Sequence, residues 1–184
     1  MRIAVYGFAK AENQYVKERS RQVGRYIAER KHMLATGTDI GIPQDAVLGC
    51  REARGECIGF SPAIDIASHR RYGLPTEGIS QFVFIPREYD HSDNLDICLK
   101  YRNVTMANFS DAGIIIGGDI DTMHSFTTLH DLDKVIGILD DTGGITTESI
   151  GLLLEMEPER KRIIRDSDPQ KLVDAVIAAL SNRQ

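Results

Sequence analysis

Short apolar runs, each closed by a turn, alternate along this chain with longer stretches of helical periodicity. Ile3–Tyr6 stops at Gly7, Met33–Thr36 at Gly37, Gln81–Ile85 at Pro86, and Ala112–Ile116 at Gly117 and Gly118. Glu56–Phe60 and Lys134–Leu139 are of the same kind, and Arg162–Ile164 reads as a short last strand. The runs are continuous rather than alternating. A strand that is apolar at every position is buried on both faces, as strands are in a parallel sheet covered by helices on either side. The expected fold is therefore α/β: a doubly wound, mainly parallel, Rossmann-like sheet of about six or seven strands with helices on both faces. Residues 1–184 contain no internal repeat and no clear linker, and are expected to form a single domain.

The stretches between the runs carry helix signals. Glu12–Lys31 places Val16, Val23 and Ile27 on one face. Gly24 inside it is unfavourable by about 1 kcal/mol relative to Ala, which points to a close packing contact. Helices are expected over Ile42–Arg54 with Gly55 as the stop, over Leu95–Phe109, over Thr122–His130 and over Ile145–Met156. The last helix has Asp168 as N-cap, Pro169 at its first position and Leu172, Val173, Val176, Ile177 and Leu180 on its apolar face. Ser61–Ser80 is the least regular stretch and reads as a long connection with one short helix.

Composition excludes several classes. The net charge of -5 argues against a general nucleic-acid binder. The densest basic group, Arg160, Lys161, Arg162 and Arg165, is interleaved with Glu155, Glu157, Glu159 and Asp166 and reads as a self-compensating surface. No apolar run approaches the ~20 residues of a membrane helix. The opening residues read as a first strand rather than a secretory signal, so a cytoplasmic location is expected. Cys50, Cys57 and Cys98 are irregularly spaced, which suits buried thiols rather than a disulfide framework. The histidines show neither HxH nor HExxH spacing, and no metal site or cofactor is expected.

In an open parallel sheet, ligands bind outside the carboxyl ends of the strands, where helix N-termini present free N–H groups. Three glycine-bearing turns fall there: Thr36-Gly37-Thr38-Asp39-Ile40-Gly41, Gly117-Gly118-Asp119-Ile120-Asp121-Thr122 and Thr142-Gly143-Gly144. Together with Gly7 they form a candidate ligand pocket. The sequence contains no G-x-x-x-x-G-K-[ST], and Gly7 lacks the following glycines of G-x-G-x-x-G. Thr38 and Thr122 are candidates either to bond phosphate or to cap helices. Asp39, Asp119 and Asp121 place carboxylates inside the turns. Either they turn away, or they bind ribose hydroxyls, or a cation bridges them, or they serve the helix N-termini.

At these residues the chain resembles the LOG-like ("lonely guy") proteins of the nucleotide-binding superfamily that includes molybdenum-cofactor carrier proteins. The resemblance runs from Ile3 to about Gly144. VGRYIAERK, from Val23 to Lys31, is similar to the family's "LGxxLAxRG". TGTDIGIPQDAVLGCREARGECIGFSP, from Thr36 to Pro62, follows "GGGxxGLMxAVxxGAxxxGGxVIGVxP". Arg102-Asn103 and SDAGIIIGGDIDTMHS correspond to the family's helix arginine and "GGGxGTxxE" loop. Arginine followed by asparagine looks more like the carrier-type branch.

The resemblance implies a pocket for a nucleotide or phosphorylated ligand that includes Arg102 and Asn103, and frequent homodimers. Some members hydrolyse a nucleoside 5′-monophosphate to base and ribose 5-phosphate, using the arginine and the glutamate. Such proteins are also often called possible lysine decarboxylases, an activity not expected here. The second loop departs from the pattern: its third glycine is absent, and His124 or Ser125 stands where the glutamate belongs. A neutral side chain cannot supply the negative charge that stabilises a developing ribosyl cation. Asp121 is a nearby candidate and Glu148 a more distant one. The first expectation is thus a ligand-binding protein without the standard catalytic glutamate. The alternative is a phosphoribohydrolase using Arg102 with Asp121 or His124.

Overall fold

The strands of the computed structural model form one parallel sheet; the structure describes residues 1–8, 13–144, 149–156 and 162–182. In chain order the elements are β1 (Arg2–Gly7), α1 (Gln14–Glu29), β2 (Met33–Thr36), α2 (Ile42–Glu52), β3 (Cys57–Phe60), α3 (Ile66–Arg71), β4 (Gln81–Val83), α4 (Leu95–Phe109), β5 (Ala112–Ile116), α5 (Ile120–Asp131), β6 (Val135–Leu139), α6 (Ser149–Met156), β7 (Ile163–Asp166) and α7 (Pro169–Ser181). The strand order is β4-β3-β2-β1-β5-β6-β7, seven strands among the described residues. Every neighbouring pair is parallel. The chain winds outward from β1 to β4, returns through α4 to β5 beside β1, and winds outward the other way. The reversal lies between β1 and β5.

Both faces of the sheet are covered, which is why β3, β5 and β6 are apolar at every position, whereas the edge strands β4 and β7 carry Gln81, Arg165 and Asp166. Ile3, Val5, Leu34, Ile114 and Ile116 join one core with residues of α1, α2 and α7. Ala4, Tyr6, Ala35, Ile115 and Ile138 join the other with Met106 of α4, Phe126 and Leu129 of α5, and Ile150 of α6. Cys50, Cys57 and Cys98 are buried and unpaired.

Gly24 has the expected packing contact. A Cβ there would stand 1.9 Å from the Ala46 carbonyl oxygen, and one on Gly49 would stand 1.8 Å from that of Arg21. α1 and α2 therefore approach backbone to backbone.

Element ends shift for local reasons. α2 stops before Arg54, which takes the left-handed conformation at φ 58 in place of Gly55. Gly55 instead leaves room for Ala28 and Cys50. α5 starts at Ile120 rather than Thr122, because the Asp119 carboxylate caps it. The last helix has its expected cap, with Asp168 accepting from the amides of Gln170 and Lys171 at 2.8 and 3.0 Å. The expected helix starts at Glu12 and Ile145 lie outside the described residues, as do Glu148, Glu157, Glu159, Arg160 and Lys161.

The Ser61–Ser80 connection holds the short helix α3 and is anchored by His69, which is fully buried. Its Nδ1 pairs with the Ser61 hydroxyl at 2.9 Å, and its Nε2 with the Pro75 carbonyl oxygen at 3.1 Å. That pairing suits a neutral ring with the proton on Nε2.

Two outcomes are expected. Gly24→Ala lowers stability in urea unfolding by about 2 kcal/mol or more, although Ala is the better helix former by about 1 kcal/mol. The second concerns pH. Burial holds His69 below the ordinary histidine value of 6.5. The unfolded chain therefore binds the proton first, and stability falls as pH drops below about 6.5. Unfolding free energy measured from about pH 7.5 to about pH 5.5 should decline, and decline less in His69→Gln.

Candidate functional site

β1 and β5 end side by side, with Gly7 opposite Ile116. The turn after β2, the middle of α4 and the first turns of α5 meet above these ends. They enclose a cavity of about 160 Å³. Its walls are Val5, Tyr6 and Gly7 of β1, Gly37 and Asp39 of the first glycine turn, and Pro43 of α2. Leu99, Lys100, Arg102, Asn103 and Met106 come from α4, and Asp119, Asp121, Thr122 and Ser125 from the start of α5.

Arg102 is the central group. It sits within α4 yet is only 6% exposed. Nε donates to Asn103 Oδ1 at 3.1 Å. Nη1 donates to the Gly37 carbonyl oxygen and, at 2.9 Å, to Asp39 Oδ1. A Cβ on Gly37 would lie 3.0 Å from the guanidinium carbon, so a larger residue there would press on the arginine. Nη2 makes no hydrogen bond to any described residue. A buried guanidinium is stable only with partners that offset its lost hydration, and these three oxygens supply them.

Tyr6 is the residue that sequence reasoning missed. It is 5% exposed, and its hydroxyl has no hydrogen-bond partner among the described residues. Burial pushes the phenol far above its ordinary range, a shift that the nearby Arg102 charge only partly offsets. The hydroxyl stays protonated and is available as a donor. The one signal in sequence is a polar aromatic closing an apolar strand just before Gly7.

The three carboxylates all have protein partners. Asp39 pairs with Arg102. Asp119 Oδ1 accepts from the amides of Asp121 and Thr122 at 3.1 and 3.3 Å. Asp121 is exposed and pairs with Lys100 of α4. Among the described residues, no three His, Cys, Asp or Glu side chains are grouped to hold a metal ion.

The remaining candidates divide. Asn103 and Thr122 are buried in the cavity wall. Thr38, at φ 57, turns its hydroxyl toward the Phe60 carbonyl oxygen at 3.4 Å and is not a wall residue. Gly41 is the N-cap of α2 and provides no side-chain cap. Gly117 and Gly118 meet the third turn: the Gly117 amide donates to the Thr142 hydroxyl at 2.8 Å, and the Gly144 backbone packs on Gly118. Gly143 and Gly144 lie beside the site rather than in its wall. Of the three catalytic candidates, Arg102 and Asp121 share the cavity and His124 does not. With α5 starting at Ile120, Ser125 takes the wall position, donating to the Asp121 carbonyl oxygen at 3.2 Å.

The model of the SLOG cluster4 family matches residues 1–173. Solved structures share the fold over nearly their full length. TM1055, a structural-genomics target, is 18% identical, with 97% of this chain and 98% of its own covered and a TM-score of 0.77. The molybdenum cofactor binding protein of Rippkaea orientalis is 17% identical, with 97% and 96% covered and a TM-score of 0.75. The molybdenum cofactor carrier protein of Chlamydomonas reinhardtii is 18% identical, with 98% of each chain covered and a TM-score of 0.73. At these identities the likeness is one of fold. No curated protein matches the sequence. No helix among the described residues is long and apolar enough to cross a membrane.

Tyr6→Phe removes a buried hydroxyl that has no partner among the described residues. It is expected to leave stability unchanged or to raise it by about 1 kcal/mol in urea unfolding. A loss larger than that would mean the hydroxyl is satisfied within the fold.

Proposed function

The chain belongs to the SLOG cluster4 family, and we propose that it is a binding protein for a nucleotide or another small phosphorylated ligand, seated between the ends of β1 and β5. Arg102 carries this reading: a buried cation in a cavity wall, with one nitrogen unbonded among the described residues, beside a buried tyrosine hydroxyl that also has no partner among them. Those two groups suit an anionic or polar group of a ligand. Pro43, Leu99 and Met106 supply apolar wall for a ring. Two solved proteins of this fold are described as carrying or binding the molybdenum cofactor. That compound therefore joins the nucleotides as a ligand to test.

Hydrolysis is the second reading, favoured by one observation: Asp121 lines the same cavity as Arg102. Its carboxylate is exposed and engaged by Lys100, and the adjoining wall position holds the neutral Ser125. Neither arrangement supplies a free buried carboxylate against a ribosyl ring.

A panel of nucleoside 5′-monophosphates separates the readings. Calorimetric titration should show binding, and chromatography should show no free base. Arg102→Gln should weaken binding by about 10- to 100-fold, the loss expected for a charge-assisted hydrogen bond. Circular dichroism should confirm that the variant folds, because it leaves Asp39 without its partner. Base release that Arg102→Gln abolishes would overturn the proposal in favour of the hydrolase.

A further inference from the structure

Phosphate recognition in a parallel α/β sheet uses a cationic side chain and the free N–H groups that open a helix. In this cavity carboxylates of the chain already engage both, leaving Nη2 of Arg102 open among the described residues. Asp39 holds Nη1 of Arg102 at 2.9 Å. Asp119 holds the first amides of α5 at 3.1 and 3.3 Å.

For Asp119, capping is a sufficient structural role. For Asp39 it is not. Asp39 makes no hydrogen bond to the amides of α2, whose N-cap is Gly41, and among the described residues its partner is Arg102 alone. Its side chain keeps 24% of its exposure, against 6% for the arginine. A carboxylate in that position is rehydrated when it swings out, whereas the arginine stays in place. A phosphate on the open Nη2 and the Asp39 carboxylate on Nη1 share one guanidinium and repel each other over a few Å, so phosphate binding favours departure of the carboxylate.

We infer that Asp39, reinforced by Asp119, is a specificity-determining residue that competes with the ligand's anionic group. Binding of a phosphate-bearing ligand is then an exchange of anions at Arg102. Bare phosphate gains little from the exchange. A ligand that also fills the apolar wall and reaches the Tyr6 hydroxyl gains enough to displace Asp39. The site thereby rejects free inorganic phosphate and selects larger phosphorylated molecules. This rests on the reading of the cavity as a ligand site.

The test uses the full chain and three probes: inorganic phosphate, adenosine 5′-monophosphate and adenosine, with binding followed by calorimetry. Asp39→Asn keeps the shape and an acceptor oxygen while removing the charge. It should raise affinity for phosphate and for the monophosphate by about tenfold or more, and leave adenosine unchanged. Asp119→Asn keeps an equally good N-cap, so α5 folds as before, and it should raise both phosphate affinities by a smaller factor. It carries the test if Asp39→Asn fails to fold.

Unchanged or weaker monophosphate binding in these variants, with wild-type binding still dependent on Arg102, would overturn the inference and leave the ligand reading standing. An equal gain for adenosine would overturn it too, because charge would not be the cause. Absence of phosphate and monophosphate binding in the wild type and both variants would overturn the ligand reading as well.

Discussion

The return of the chain from β4, at one edge of the sheet, to β5, beside β1, is the constraint on which the site depends. Parallel strands are joined by right-handed crossovers, so reversing the direction of winding sends the connections on the two sides of β1 to opposite faces. α1, which follows β1, and α5, which follows β5, cover opposite faces of the sheet, and a crevice lies at the ends of the two strands. Gly7 stands on one side of it, and Gly117 and Gly118 on the other. α4, which makes the crossover, carries Arg102 and Asn103 into the gap.

Arg102 costs the fold something to keep there. Burying a guanidinium loses hydration that three protein oxygens only partly restore, and apolar side chains of similar volume are often as stable in such places. The sheet does not need a charge at that point, since both cores are already filled by apolar side chains. Gly37 is shaped to the arginine, and Tyr6 beside it buries a hydroxyl with no partner among the described residues. Two polar groups held at some cost to stability in one cavity are understandable if a ligand completes them.

Most of the fold was legible because a strand buried on both faces has no polar positions to confuse it. Ile114, Ile115 and Ile116 declare such a strand by themselves. The ends were less legible, because caps compete: Asp119 starts α5 two residues before Thr122, and Arg54 takes a left-handed position that glycine was expected to hold. Those small shifts decide the site. A start at Ile120 carries Ser125 into the wall and leaves His124 outside it, which no count along the sequence could settle. The glycine turns and Arg102 were readable from their place after the strands. Tyr6 was not, since its importance lies in a missing partner. Nor were the pairings of Asp39 with Arg102 and Asp121 with Lys100, which join residues far apart in sequence.

The central claim is that a phosphorylated ligand binds between the ends of β1 and β5. It is tested most directly by following backbone amide resonances during titration with adenosine 5′-monophosphate. The largest shifts are expected at Gly7, Gly37, Asn103 and Thr122 in the cavity wall, together with the Arg102 side chain. Shifts confined to the opposite end of the sheet, where Arg2, Lys31, His32 and Arg54 border a separate groove, would contradict it.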